Sequence, residues 1–336
     1  MVFLSHAGTQ RISGGLFHQA IGYGEAAVDV FFVVSGFVIG HATRHTASHR
    51  DARFYAIARA ARIYSVVLPC LALGWLLDAA GPALDPALYA AAPHFTGPAG
   101  PAELASSALF LDHVWFRAAQ PGSNLPFWSL AFEAWYYLAF GLLVFAPRPW
   151  NWLGAAAAMA LAGPKIAMLF PLWLLGVACQ RRCAREPLSP AAGWALLLAP
   201  LLVLAFWDPR GQVCVPYTPF IADPQCVWAL AHDYAIGLLV AAQLLGVHAL
   251  APLLWRWLRP IARPVAWLAG ASFTLYLLHY PLLHFIAAAT PWPAEHWAGR
   301  VLVFVLPPLL ALVVAEATER RRTAWRRAIA GLLGQR

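Results

Sequence analysis

Long apolar runs alternate with short polar connections along the whole chain. A helix needs roughly 17 to 25 apolar residues to cross a bilayer. Apolar segments fall at 26–43, 54–79, 126–146, 149–162, 164–180, 191–207, 231–250, 264–288 and 298–318. Pro164 and Lys165 interrupt the pair at 149–180, and its first member is short. The opening residues MVFLSHAG read as the end of one more helix whose beginning is missing. The pattern predicts an all-α polytopic integral membrane protein of about ten transmembrane helices, the first truncated.

Composition agrees. Hydrophobic residues make up 61% of the chain and charged residues only 11%, against about 25% charged in soluble domains. The 16 tryptophans suit membrane interfaces, where indoles gather. The net charge of +8 sits in loops, so it speaks to orientation and not to nucleic acid. Of the 23 basic residues, 18 lie on alternate connections, at 44–62, 147–150, 181–190, 251–263 and 320–336. The other five are Arg11, Arg117, Lys165, Arg210 and Arg300. By the positive-inside rule this puts the C-terminal tail in the cytoplasm and the connections 80–125 and 208–230 outside. Residues 1–319 read as one membrane domain, and 320–336 as a basic cytoplasmic tail on an anionic leaflet.

This topology assigns depths to the polar residues. Asp29 and Ser35 lie in the run VDVFFVVSGFVIG, with Asp29 about one turn from the outer start of its helix. Glu133, in NLPFWSLAFEAWYYL, lies roughly two turns below its own outer start. His6 and His279 also fall in the outer half, while Arg59 and Arg62 sit at the inner end of their helix. Taken singly, most have plain readings. His6 suits an interface, His279 an aromatic belt beside Tyr280, and the two arginines positive-inside loops. Glu133 is different: among Trp128, Phe132, Trp135 and Tyr136 it needs a partner or a proton. An acid inside a span is a functional-site hypothesis by default, and four titratable groups at one depth point to a buried polar site.

In order, VDVFFVVSGFVIG, ARAARIYSVVLP, NLPFWSLAFEAWYYL, PLWLLGVACQ and SFTLYLLHYPLL resemble membrane acyltransferase family 3. Its members are bacterial O-acyltransferases that act on envelope and exported glycans. The resemblance spans essentially the whole chain. It implies a multi-pass protein of the bacterial inner membrane that takes an acyl group, usually acetyl, from cytoplasmic acyl-CoA to a sugar hydroxyl outside. The family's essential histidine falls on His6, its Arg-x-x-Arg motif on Arg59 and Arg62, and the acid of its WSL-x-x-E motif on Glu133. Asp29 and Ser35 match its second-helix motif. The basic residue that precedes the histidine in the family by 11 positions has no counterpart here.

On this reading His6 is the general base or the acyl carrier, and Asp29 or Glu133 orients it. Arg59 and Arg62 bind the acyl-CoA phosphates, and Ser35 and His279 contact substrate. Acyl-CoA, a glycan or glycolipid acceptor and membrane lipid are the expected partners. No metal, nucleic acid or bound cofactor is expected. Cys214 and Cys226 share one exterior loop and are expected to pair as a disulfide. The competing readings are a transporter or flippase, or an inactive member of a glycan-assembly complex. Against the transporter, the chain has no internal symmetry of broken helices.

Overall fold

The computed structural model describes residues 1–44, 49–92, 95–185, 188–210 and 224–333. The Cys214–Cys226 pairing lies outside the described residues. Among them the chain is helical, with no strand. The principal helices are α1 (Val2–Ala7), α2 (Tyr23–Ala42), α3 (His49–Ala80), α4 (Trp128–Phe145), α5 (Trp150–Ala162) and α6 (Pro164–Cys183). There follow α7 (Pro190–Phe206), α8 (Pro224–Ala249), α9 (Ala251–Ala269), α10 (Ser272–Ala289), α11 (Trp297–Ala317) and α12 (Arg322–Leu332).

Seven described helices are long and apolar enough to cross a membrane: Tyr23–Ala42, Ala52–Ala83, Leu125–Phe145, Pro164–Cys183, Val227–Ala249, Ser272–Ala289 and Trp297–Leu332. Two other expected segments form shorter helices, α5 with 13 residues and α7 with 17. At about 1.5 Å per residue, α5 reaches roughly 20 Å, short of a hydrocarbon core of about 30 Å.

One expected boundary is corrected. The apolar run at 264–288 is divided at Gly270–Ala271. Its first six residues belong to α9, an amphipathic helix with no buried residue. The helix carries Arg256, Arg259 and Arg263 together with exposed Trp255, Trp257 and Trp267. Hydropathy averaged over a window cannot separate the end of an interfacial helix from the start of a span. The C-terminal α12 is amphipathic as well and packs on the start of α3. There Arg326 stands 5.3 Å from the Phe54 ring and Arg53 donates to the carbonyl of Leu333.

The tightest seam is α2 against α6. A Cβ on Gly36 would stand 1.9 Å from the Trp173 carbonyl oxygen, and one on Gly176 would stand 1.9 Å from that of Val33. Small residues let two apolar helices bring their backbones together where no hydrophobic drive exists between them. The Ser35-Gly36 pair thus has a packing reason. Phe32, Leu130, Tyr136, Trp173 and Leu277 are fully buried where α2, α4, α6 and α10 meet. Prolines inside α3, α6, α10 and α11 are tolerated where neighbouring groups take up the freed carbonyls. Pro281 shows this directly. It has no N–H for the carbonyl of Leu277, one turn earlier, and that carbonyl accepts from Asn124 Nδ2 at 2.8 Å.

Candidate active site

The short helix α1 packs against α10 and brings two histidines together. His6 Nδ1 lies 2.9 Å from His279 Nε2. The rings are nearly parallel, 11° apart, with centroids 5.2 Å from each other. His279 Nδ1 in turn faces the carbonyl oxygens of Tyr276 at 2.7 Å and Leu275 at 3.1 Å. Carbonyl oxygens only accept, so the proton of neutral His279 sits on Nδ1 and its Nε2 is an acceptor. His6 Nδ1 then donates to it, and His6 Nε2 keeps a free lone pair. Tyr280 meets the His6 ring edge-on at 4.7 Å, and Arg11 donates to the Tyr280 hydroxyl.

A second cluster lies between α2, α4 and α6. Glu133 is 4% exposed. Its Oε1 accepts from the Ser35 hydroxyl at 2.6 Å and from the Tyr137 hydroxyl at 2.5 Å. Ser35 Oγ accepts in turn from Trp173 Nε1 at 3.2 Å. Towards the arginine-rich end of the bundle, Arg59 stands 5.7 Å from the Tyr137 ring and 6.0 Å from the Tyr55 ring. Tyr137 therefore joins Arg59 to Glu133: the cation faces its ring and the carboxylate takes its hydroxyl.

Arg62 makes a different connection. It pairs with Glu319 at 3.2 Å, and the Glu319 side chain is 3% exposed. The other Glu319 oxygen accepts from the backbone N–H of Thr274 at 3.1 Å and from its hydroxyl at 3.3 Å. Glu319 thus neutralises Arg62 and satisfies an open N–H in the first turn of α10. Asp29 meets Asp233 on α8 carboxyl to carboxyl, with Glu25 close by.

The structure brings His6 together with His279, Ser35 with Glu133, and Arg59 near Glu133 through Tyr137. Among the described residues no hydrogen bond joins His6 to Asp29 or to Glu133; the group hydrogen-bonded to the His6 ring is His279. Sequence reasoning missed Tyr137, Trp173, Asp233 and Glu319. Tyr137 was within reach, because a hydroxyl four residues after an acid shares its helix face. Glu319 lies in the run ATERRR and reads as the start of a charged tail.

Fold and site together define a polytopic, all-α membrane protein with buried histidine and carboxylate clusters inside its bundle. The family model for the acyltransferase domain of acyltransferase family 3 matches residues 1–316, and the chain belongs to that family. No curated protein and no solved structure matches the chain.

Proposed function

We propose that this acyltransferase moves an acetyl group from acyl-CoA to a hydroxyl of an envelope or exported glycan, with His6 as the general base. The observation that carries the reading is the chain from the Tyr276 carbonyl through His279 to His6, which leaves His6 Nε2 unprotonated. That nitrogen removes the proton from the acceptor hydroxyl as its oxygen attacks the thioester carbonyl. The C–S bond then breaks, and the CoA thiolate leaves and takes up the proton. The imidazolium formed on the way keeps its Nδ1–H on His279 Nε2, which stabilises it as the carboxylate does in a triad.

The donor enters from the arginine-rich end, taken as cytoplasmic from the distribution of basic residues. Its phosphates suit Arg59 and the donors of Arg62 that Glu319 does not take, with Ser35 and Glu133 holding the helices on the way to His6. On the same reading the protein resides in the bacterial inner membrane with residues 320–336 in the cytoplasm. Asp29, beside Asp233, links α2 to α8.

The test is the amount of base-released acyl groups on envelope and secreted glycans of the native host. A deletion strain should lose them, the restored chain should return them, and His6→Ala should not. Unchanged acylation on deletion, or full rescue by the His6 variant, rejects the proposal.

A further inference from the structure

The arginines of α9 have no acid to meet. Between Asp233 and Glu295 the sequence holds no Asp or Glu. Among the described residues Arg256, Arg259 and Arg263 make no ion pair, and all three are exposed. At about 100° per residue they share an arc of roughly 60°. Like charges in one row repel each other, so the row calls for an anion from outside the chain. The opposite side of α9 is apolar. Leu254, Leu258, Ile261, Val265 and Leu268 fall on an arc of roughly 80°, and the last four are 46–53% exposed. Exposed Trp255 and Trp257 flank this stripe.

The two ends of α9 fix its attitude. Its start follows α8 at Leu250, which packs against Gly193 in the first turn of α7. Its last turn is held by Arg320, which donates to the Trp267 carbonyl at 2.8 Å and stands 4.2 Å from the Trp267 ring. Arg320 follows the Glu319 that pairs with Arg62. Both ends therefore lie at the arginine-rich end of the bundle. A helix of 19 residues, about 28 Å long, with both ends at one level runs along the membrane surface and not across it. In that attitude the apolar stripe meets acyl chains, the flanking indoles sit at headgroup level, and the arginine row is left to headgroup phosphates.

We propose that α9 is an in-plane helix that binds anionic phospholipid through Arg256, Arg259 and Arg263. Charge selects the ligand class. A row of cations with no acid of its own gains most from lipid that carries net negative charge, and a guanidinium fork matches a phosphate bidentately. The apolar stripe selects a lipid over a soluble anion, because only a lipid brings acyl chains to cover it. The inference stands apart from the reading of His6.

The experiment uses the full chain reconstituted in phosphatidylcholine bilayers that carry spin-labelled phosphatidylglycerol or spin-labelled phosphatidylcholine. The wild-type protein should immobilise the phosphatidylglycerol label in preference to the other, and salt should weaken the preference. R256Q/R259Q/R263Q should reduce the preference at least about twofold, since each charge lost near an anionic surface counts. R256K/R259K/R263K keeps the charge and should keep most of the preference. No preference in wild type, an unchanged preference in the Gln variant, or equal loss in both variants overturns the proposal. So does displacement of the labelled lipid by coenzyme A, which assigns the row to soluble phosphates. Ile261→Cys tests the stripe. Cross-linking of two chains at that position, beyond the wild-type background, puts a second copy where the lipid should be and overturns the proposal as well.

Discussion

The two polar clusters of the bundle are built in opposite ways. Around Glu133 three donors are committed: Ser35 and Tyr137 both give their hydroxyls to Oε1, and Trp173 gives its N–H to Ser35. The carboxylate ties α4 to α2, and Ser35 carries the link on to α6. Around His6 the chain of donors runs one way, from His6 to His279 to the Tyr276 carbonyl, and ends in an uncommitted nitrogen. A closed network holds helices in register. An open-ended one is free to move a proton. Composition and depth alone favour Glu133, an acid among aromatic rings, over His6, which suits an interface.

The sharpest way to break this comparison is at His279. His279→Phe removes the acceptor for His6 Nδ1 and lets the His6 proton settle on either nitrogen. Transfer should fall by roughly 10²- to 10⁴-fold, the range for losing a base or its orienting group. His279→Gln offers a carbonyl oxygen to the same N–H and should recover part of that loss. Equal loss in both variants, at equal protein levels, would show His279 to be packing and not positioning.

Glu133 comes next. If it acts as a tie, Glu133→Gln keeps an oxygen for both hydroxyls and should retain most of the stability. Glu133→Leu leaves two buried hydroxyls unpaired at about 1–3 kcal/mol each. Thermal melting of the detergent-solubilised protein would rank the two. A Gln variant as unstable as the Leu variant would show that the charge, not the hydrogen bonding, matters. A smaller effect of about 1–3 kcal/mol, the usual range for overpacking, is expected for Gly36→Ala. The added Cβ would meet a backbone oxygen, Trp173 O, which has little freedom to move.

The helices themselves were legible because a bilayer leaves so little choice: a long apolar run with its backbone satisfied internally is a helix. What failed at 264–288 was the distinction between a span and an interfacial helix. That distinction depends on whether the apolar stripe finds a protein partner, and α9 finds none that buries it. Depth singled out His6, Asp29, Glu133 and His279 as polar groups inside the bundle, but it missed Tyr137, Trp173, Asp233 and Glu319. The pairing of these groups was not legible. Depth gives one coordinate, and rotation about the helix axis decides whether His6 meets His279 or Glu133. The two arginines illustrate the same point: three residues apart on one helix, Arg62 reaches Glu319 while Arg59 lies against tyrosine rings.

The smallest effect is expected outside the spans, where Asp112 and His113 are neighbours with opposed titrations. Burial raises the Asp112 carboxyl to about 6 against hydrogen bonding from Ser107 and the charge of Arg117. Burial, helped by Lys165, lowers the His113 imidazole to about 4. Each resists its charged form. His113 contributes stability above its unfolded value of about 6.5 and loses it as pH falls towards 4. Asp112 works in the other sense: its contribution is present below about 4 and is lost as pH rises through 6. From pH 7 to pH 5 the histidine costs about 2 kcal/mol and the acid returns about 1 kcal/mol, so the net change is near 1 kcal/mol. Melting over that range should move little in the wild-type protein. Asp112→Asn should expose the histidine alone and lose stability on acidification. His113→Gln should expose the acid alone and gain it. If both variants follow the wild-type curve, these two groups titrate as they do in water.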